Sequence, residues 1–391
     1  MLSKLGIIQS VRQIAKLVLY VGAGMRLSSI DILRGFAVLF VVVYHFYSIL
    51  DLKSSIFYSV SSIYGSLGVP LFFVISGYLI FGSIANNIQK RGIKKGMLNY
   101  FLHRIFRIVP AYYVSLFVVF ILAYYFMDML TAWSNKFILK YLFSELTFTS
   151  YFNYKVTGFG LNGAYWTLNI EMLWYLLAPL FVLLFKKNMH LLILFCIGLL
   201  YFSLIDLGFF DKIFNLDKHQ SNYLPLLYFY SYQLPGQIIY FIAGIYIYKK
   251  TQEGLEKKDN SKVKLLFGTL IILIAYLLLK KIIIESFLLR NILQLIVVVL
   301  LFKLWYLQQV VGLTLLKWIG EISYSLYLWH MPLLYLIKKY LLIHHISSYL
   351  MWGIYLASLF LIASLSYYFV EQKGYFLRDR FIQLLRLKNK F

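Results

Sequence analysis

Two ionisable side chains interrupt the first strongly apolar run of the sequence. The segment DILRGFAVLFVVVYHF carries Arg34 and His45, although a charged side chain at bilayer depth costs roughly 3 kcal/mol or more. Because a helix turns about 100° per residue, these two positions fall within about 20° of one helix face, about 16 Å apart along its axis. Ionisable groups at this depth usually face the protein interior or a water-filled cavity. The pair therefore predicts one cavity-lining stripe, with Arg34 near the inner end and His45 nearer the outer end.

Two later apolar runs carry polar side chains at compatible depths. The run YWTLNIEMLWYLLAP contains Glu171, with Asn169 beside it, and the run SYSLYLWHMPLL contains His330. Counted at about 1.5 Å per residue from the predicted span ends, Glu171 and His330 lie in the outer half of the bilayer, as His45 does. We therefore expect His45, Glu171 and His330 to meet in one layer.

A pair of arginines stands at the foot of a third run. In HRIFRIVPAYY, Arg104 and Arg107 are three residues apart and therefore share one helix face. Arginine offers a fixed charge and bidentate donors that match phosphate groups. Anchoring of a helix at the inner membrane surface accounts for the same residues equally well. The sequence thus leaves two interpretations of this pair, a phosphate site and a membrane anchor.

The amino-acid composition is typical of a membrane protein. Of the 391 residues 61% are hydrophobic and only 14% are charged, and the mean hydropathy is +0.76. Apolar runs of about twenty residues recur along the whole chain, a pattern typical of helical membrane proteins. We predict an all-α fold, a polytopic integral membrane protein of about ten transmembrane helices. The predicted spans are residues 30–49, 67–85, 108–127, 163–185, 191–208, 226–248, 265–280, 291–306, 318–338 and 350–370.

The distribution of basic residues predicts the topology. The chain has 38 Lys and Arg against 15 Asp and Glu, a formal net charge of +23. With the N-terminus inside, the inner segments carry 26 of these Lys and Arg residues and the outer segments carry 11, which is the positive-inside asymmetry. We therefore expect the N- and C-termini to be cytoplasmic, and the basic excess to reflect contact with membrane lipids rather than nucleic acid.

The chain divides into three predicted segments. Residues 1–25 have apolar side chains at helical spacing with basic residues on the other face, which predicts an amphipathic interfacial helix, unless the chain starts at Met25. Residues 26–372 form the transmembrane domain, and residues 373–391 form a basic cytoplasmic tail. The single cysteine, Cys196, lies in an apolar run, so we expect no disulfide and no cysteine-based metal site.

Six sequence blocks, taken together, resemble one known family. In chain order they are IDILRGFAVLFVVVYH, GVPLFFVISGYLI, RIFRIVPAYY, YWTLNIEMLWYLLAP, IGEISYSLYLWHMP and SLSYYFVE. These blocks, in this order, resemble the membrane-bound acyltransferase-3 family of bacterial glycan O-acetyltransferases, over about residues 26 to 372. Family members often append a periplasmic esterase-like domain, which this chain is expected to lack.

The resemblance implies an activity, a location and roles for individual residues. Such enzymes lie in the bacterial inner membrane and move an acyl group, most often acetyl, from cytoplasmic acetyl-CoA to a hydroxyl of an extracytoplasmic glycan. By position, His45 would be catalytic and Glu171 a further essential polar residue, while Arg34, Arg104 and Arg107 would bind the acetyl-CoA donor. No metal is implied. The acceptor stays open among lipopolysaccharide, capsule, exopolysaccharide, peptidoglycan and a secondary metabolite, as does acetyl against another acyl group.

The chemistry of these residues agrees with that interpretation. A sugar hydroxyl is a poor nucleophile and needs a positioned base, which an imidazole such as that of His45 can supply. The Glu171 carboxylate could orient that imidazole or stabilise its charged form. Candidate donors to the tetrahedral oxyanion are Asn169, Trp166, Tyr327 and His330. Direct transfer and transfer through an acyl-enzyme both stay open.

The sequence departs from the family pattern at three places. His103 stands where the family tends to have another arginine, and Asn169 replaces a usual small residue before Glu171. The tripeptide EQK at 371–373 replaces a usual Glu-Arg-Pro. We expect this last departure to matter least, because it lies at the cytoplasmic end of the final predicted span.

Two other functional classes share the many predicted spans. A polysaccharide polymerase or flippase would more naturally carry a large outer loop with several charged residues, whereas the largest outer loop here, about residues 128–162, is short and mixed in character. A secondary transporter would show broken helices in two matching halves, and the sequence shows no such internal symmetry. The polymerase, flippase and transporter interpretations are therefore the alternatives to acyl transfer.

The charge asymmetry makes the topology testable. Reporters fused after residues 95, 255 and 391 should all indicate a cytoplasmic location, and a reporter fused after residue 150 should indicate a periplasmic one, because basic segments are retained inside. Paired alkaline phosphatase and fluorescent protein fusions measure this. A periplasmic C-terminal reporter would make the number of crossings odd and contradict the ten-helix topology.

Overall fold

A computed structural model of the protein describes residues 29–52, 55–131, 133–153, 156, 160–184, 188–214, 223–252, 262–282, 286–307, 313–340 and 346–388. All regular secondary structure within these residues is helical, in agreement with the predicted all-α class. The predicted interfacial helix over residues 1–25 lies outside the described part of the chain.

Fifteen α-helices are described, together with one 3₁₀ turn, Ser150–Phe152, and one π-helical turn, Tyr367–Glu371. In chain order the α-helices are α1 Ser29–Ile49, α2 Ile56–Arg91, α3 Ile93–Tyr125, α4 Asn135–Leu146, α5 Tyr165–Leu184, α6 Asn188–Asp206, α7 Phe209–Ile213, α8 Tyr223–Ser231, α9 Leu234–Gln252, α10 Lys262–Ile282, α11 Phe287–Leu307, α12 Thr314–Glu321, α13 Ser323–Tyr340, α14 Ser348–Ser366 and α15 Gln372–Lys388.

Seven helices within the described residues are long and apolar enough to cross a membrane. They are Ser29–Ile49, Ile56–Arg91, Ile93–Tyr125, Tyr165–Leu184, Asn188–Asp206, Phe287–Tyr306 and the continuous run Ser348–Leu384. The other three predicted spans are broken or short. The sixth divides into α8 and α9, the ninth divides into α12 and α13, and the apolar part of α10 is limited to Leu265–Lys280. The count of ten crossings stays a prediction.

Helix α1 lies inside the bundle and packs on several neighbours. Near its start Phe36 meets Trp305 of α11 with ring centroids 4.9 Å apart, and near its end Phe46 stacks on Tyr355 of α14 at 5.5 Å. Arg34 precedes the first of these contacts by two residues and His45 adjoins the second, so both ends of the predicted stripe lie beside contacts between helices.

Glycines allow the closest helix approaches in the bundle. A Cβ atom on Gly320 of α12 would lie 1.7 Å from the carbonyl oxygen of Asp31 on α1, and a Cβ atom on Gly77 of α2 would lie 2.2 Å from the carbonyl oxygen of Phe241 on α9. Neither contact could form with any larger residue, because a real Cβ atom does not approach backbone oxygen so closely. The first contact seats the turn of α1 that carries Arg34.

A buried carboxylate ties α4 to the ends of the spanning helices. Glu145 is 2% exposed, and its Oε2 accepts a hydrogen bond from the Tyr112 hydroxyl at 2.7 Å. Burial in this apolar surrounding raises the pKa of Glu145 from its ordinary value of 4.5 to about 7. Sequence analysis did not identify this residue.

The raised pKa of Glu145 predicts a stability that falls with pH. The unfolded chain releases this proton near pH 4.5 and the folded protein near pH 7, so the folded state binds more protons in that window and the free energy of unfolding decreases as pH rises through it. In Glu145→Gln this penalty disappears. The difference in Tm between variant and wild type, measured in detergent by scanning fluorimetry, should be more positive at pH 8 than at pH 5. The more exposed Glu321, changed to Gln, serves as control, and an equal difference at both pH values for Glu145→Gln would contradict the assignment.

Candidate active site

Two cavities lie between the helices and share the side chains of Val69 and Tyr327. The arginine cavity, about 80 Å³ in volume, is lined by three arginines, among them Arg34, and by Glu171. The histidine cavity, about 300 Å³ in volume, is lined by His45. The two ends of the α1 stripe therefore face different cavities that adjoin each other.

Three arginines from two helices line the arginine cavity. Arg34 comes from α1, and Arg104 and Arg107 come from successive turns of α3. Arg34 forms an ion pair with Asp31 on the same helix at 3.8 Å. Glu171 is the one carboxylate in the described lining, while Asp31 and Glu371 interact with these arginines from outside that lining. The guanidinium fork matches phosphate oxygens.

Glu171 belongs to the arginine cavity and not to the histidines. Its carboxylate interacts electrostatically with Arg104 and Arg107. The expectation that Glu171 would meet His45 and His330 in one layer is therefore wrong. Counting residues along a span gives the depth of a side chain but not the direction in which the helix presents it, and α5 presents Glu171 toward α3.

Three buried polar atoms in this cavity have no hydrogen-bond partner within the described residues. They are the hydroxyls of Ser76 and Ser323 and the Nε of Arg104. Leaving a buried polar group unpaired costs about 1–3 kcal/mol. All three belong to residues that line this cavity.

A second carboxylate, Glu371, reaches the arginines from the π-helical turn between α14 and α15. It is buried and accepts a hydrogen bond from the Ser325 hydroxyl, and it interacts electrostatically with Arg107 and Arg34. Sequence analysis missed this role, although the SLSYYFVE block ends at this residue. Its place at the cytoplasmic end of the final predicted span does not remove it from the site, because the π-helical turn packs against α3.

Hydrogen bonds determine the tautomers of His45 and His330 at the histidine cavity. Nδ1 of His330 lies 2.7 Å from the carbonyl oxygen of Tyr327, and since a carbonyl oxygen only accepts, this nitrogen carries the proton. In neutral His330 the unprotonated Nε2 then lies 3.2 Å from Nδ1 of His45. His45 therefore donates from Nδ1, and its Nε2 keeps a free lone pair.

His330 thus takes the place that sequence analysis gave to Glu171. Its side chain is fully buried, and its two nitrogens are occupied by the Tyr327 carbonyl and by His45. It orients the His45 imidazole and fixes its tautomer. With both nitrogens engaged, His330 has no donor left for an oxyanion, so that candidate role is not supported.

Asn169 and Trp166, two other candidate oxyanion donors, lie in different surroundings. Asn169 lines neither cavity, and its amide nitrogen donates to the Tyr165 carbonyl at 3.0 Å. Trp166 lines the histidine cavity, where it stacks on Tyr232 with ring centroids 4.0 Å apart. Asn169 is therefore placed as a structural residue, whereas Trp166 presents an aromatic surface at the cavity.

Tyr327 stands where the two cavities adjoin. Its hydroxyl lies 2.7 Å from the Thr167 hydroxyl, which also bonds the Ala164 carbonyl oxygen at 3.1 Å. Of the four candidates for an oxyanion donor, Tyr327 alone lines both cavities. It is the candidate that the geometry supports best.

Comparisons with known proteins identify the family of the chain. The family described as Acyltransferase domain, Acyl_transf_3, matches residues 27–371. A protein of Acidianus two-tailed virus named "Putative acetyltransferase ORF330" is 30% identical over 304 residues, which is 76% of this chain and 81% of that protein. Peptidoglycan O-acetyltransferase OatA of Listeria monocytogenes is 27% identical over 369 residues, 88% of this chain but only 55% of that protein. No solved structure is significantly similar. The chain therefore belongs to the Acyl_transf_3 family of acyltransferases.

Proposed function

We propose that this membrane O-acetyltransferase takes an acetyl group from acetyl-CoA in the arginine cavity and places it on a glycan hydroxyl in the histidine cavity. The observation that carries this proposal is the adjacency of the two cavities at Tyr327. One cavity offers cationic groups for a phosphate-bearing donor, and the other offers an imidazole with a free lone pair.

The donor site rests on charge and on unpaired polar atoms. Arg34, Arg104 and Arg107 would bind phosphate groups of acetyl-CoA, and Glu171 holds the α3 arginines in position through its opposite charge. The hydroxyls of Ser76 and Ser323 are free to bond the pantetheine amides. The thin pantetheine arm fits a narrow cavity and would bring the thioester toward Tyr327.

The chemical step uses His45 as general base. Its Nε2 takes the proton of the acceptor hydroxyl while the hydroxyl oxygen attacks the thioester carbonyl carbon. The Tyr327 hydroxyl donates to the oxyanion of the tetrahedral intermediate. Collapse of the intermediate breaks the carbon–sulfur bond, and the departing CoA thiolate takes the proton from His45. The imidazolium formed in between is stabilised by the unprotonated Nε2 of His330, which accepts from His45 Nδ1.

Location and acceptor follow from the family and from the charge distribution. We place the chain in the bacterial inner membrane with the arginine cavity open toward the cytoplasm, because acetyl-CoA is cytoplasmic and the basic segments lie on that side in the predicted topology. The acceptor is proposed to be an extracytoplasmic glycan, by analogy with the peptidoglycan named for the Listeria relative. Mass spectrometry of surface glycans with and without the gene identifies it.

Variants at the two cavities separate donor binding from chemistry. Arg104→Ala should raise the apparent KM for acetyl-CoA by roughly ten- to a hundred-fold, because it removes charge-assisted hydrogen bonds, and excess donor should partly restore turnover. His45→Ala should lower kcat by roughly 10² to 10⁴ with donor binding intact. Steady-state kinetics of the purified protein, with the exposed Arg91→Ala as control, measure both. Loss of donor binding in His45→Ala but not in Arg104→Ala would contradict the assignment of the two cavities.

His330 is a positioning residue, and its variants should show this. In His330→Gln an amide oxygen can still accept from His45 Nδ1, whereas His330→Leu offers no acceptor. We expect His330→Leu to lower kcat roughly a hundred-fold, since misplacing a base by about 1 Å costs that much, with the KM for acetyl-CoA unchanged and His330→Gln intermediate. Equal loss in both variants at equal protein amount would show that His330 acts through packing alone.

A further inference from the structure

The histidine cavity holds two basic side chains that the proposed chemistry does not use. Lys280 from the end of α10 and Arg290 from the first turn of α11 both line it, together with His45 and Trp166. The described lining of this cavity contains no Asp or Glu side chain. A cavity that contains two cations and no anion is unusual within a membrane protein, where buried charges are normally paired.

Lys280 is held in position, and its described hydrogen-bond partners carry no charge. Its Nζ donates to the carbonyl oxygens of Ser62 and Ile63 at 3.0 and 3.2 Å and to the hydroxyl of Ser66 at 3.0 Å. All three acceptors are uncharged. The Ser66 hydroxyl also bonds the Tyr276 hydroxyl at 2.8 Å, so a fixed network directs this ammonium group.

The guanidinium group of Arg290 has fewer polar contacts than the ammonium group of Lys280. Its guanidinium carbon lies 4.3 Å from the centroid of the Phe287 ring, and the structure shows no hydrogen bond or ion pair for it within the described residues. The nearby carboxylate of Asp206 is engaged elsewhere, because its two oxygens accept from the backbone nitrogens of Phe287 and Leu288 at 2.6 and 3.0 Å. Asp206 therefore caps α11, and within the described residues no carboxylate forms an ion pair with Arg290.

Helix stability does not explain the position of Arg290. The first turn of a helix carries partial positive charge, which disfavours a cation there. A guanidinium at this position, which lines a cavity and has no hydrogen-bond or ion-pair partner among the described residues, is instead placed to bind a ligand. Arginine without a protein carboxylate suits a carboxylate or phosphate of that ligand.

We propose that the acceptor is an anionic sugar, with a carboxylate or phosphate bound by Arg290 and Lys280 while its hydroxyl lies at His45. The stacked rings of Trp166 and Tyr232 provide an aromatic surface on which a sugar ring packs. This inference rests on the proposed function, since it names the chemical class of acceptor in the same cavity. Neutral sugars would lack the contact with the two cations.

Binding to the purified full-length protein in detergent tests this inference directly. Three probes share one ring: N-acetylglucosamine is neutral, N-acetylmuramic acid adds a carboxylate, and N-acetylglucosamine 1-phosphate adds a phosphate. Isothermal titration should give a Kd for at least one anionic probe that is about ten- to a hundred-fold lower than that for the neutral sugar. The ratio between the two anionic probes distinguishes a carboxylate-bearing glycan from a sugar phosphate.

Substitutions on helix α11 test whether Arg290 causes the preference for anionic sugars. Arg290→Gln should abolish most of the anionic advantage without changing the Kd of N-acetylglucosamine, and Arg290→Lys should keep part of it. Lys303→Gln removes the same charge from the same helix outside the described cavity lining, and should change nothing. Equal binding of the three probes, no binding of any of them, or an anionic advantage that survives Arg290→Gln would overturn the inference.

The test separates this inference from the proposed function, because sugar binding requires no acyl transfer. A protein that transfers acetyl groups without an anionic preference would overturn the inference alone. A protein that prefers anionic sugars but never releases CoA would contradict the proposed transfer alone.

Discussion

The architecture depends on one constraint: a charged side chain at bilayer depth must find water, an opposite charge or a ligand. Five basic residues of the described helices satisfy it by facing cavities, and they are Arg34, Arg104, Arg107, Lys280 and Arg290. At the arginine cavity the carboxylates of Asp31, Glu171 and Glu371 match the three arginines in number. Within the described residues Lys280 and Arg290 form no ion pair, and this is the charge that we propose binds the acceptor.

The adjacency of the two cavities makes a reaction across the membrane possible. Two reactants that arrive from opposite sides of the membrane must meet where the thioester and the hydroxyl come within bonding distance. Tyr327 lines both cavities and therefore lies at the place where they adjoin. The carbonyl oxygen of the same residue fixes the tautomer of His330, which in turn orients His45. One turn of α13 therefore positions both the base and the candidate oxyanion donor.

Helical periodicity allowed part of this arrangement to be predicted. Arg34 and His45 lie on one face of α1 because eleven residues nearly complete three turns, and the structure places both at cavities. The role of Glu171 beside His45 could not be predicted correctly, since depth along a span does not specify which neighbour the side chain meets.

Lys280 and Arg290 flank a short turn in the sequence, and only the packing of α10 and α11 against α2 shows that they share a cavity. Helices α12 and α13 are interrupted at Ile322. Because no proline or glycine stands at that position, the sequence predicted one continuous ninth span.

The most direct test of the central claim uses sealed proteoliposomes with the two substrates on opposite sides. Acetyl-CoA is supplied outside, N-acetylmuramic acid is enclosed inside, and free CoA thiol is measured outside with a membrane-impermeant reagent. The two-cavity account predicts CoA release that depends on the enclosed sugar and disappears in His45→Ala. Release that requires both substrates on the same side of the membrane would contradict it.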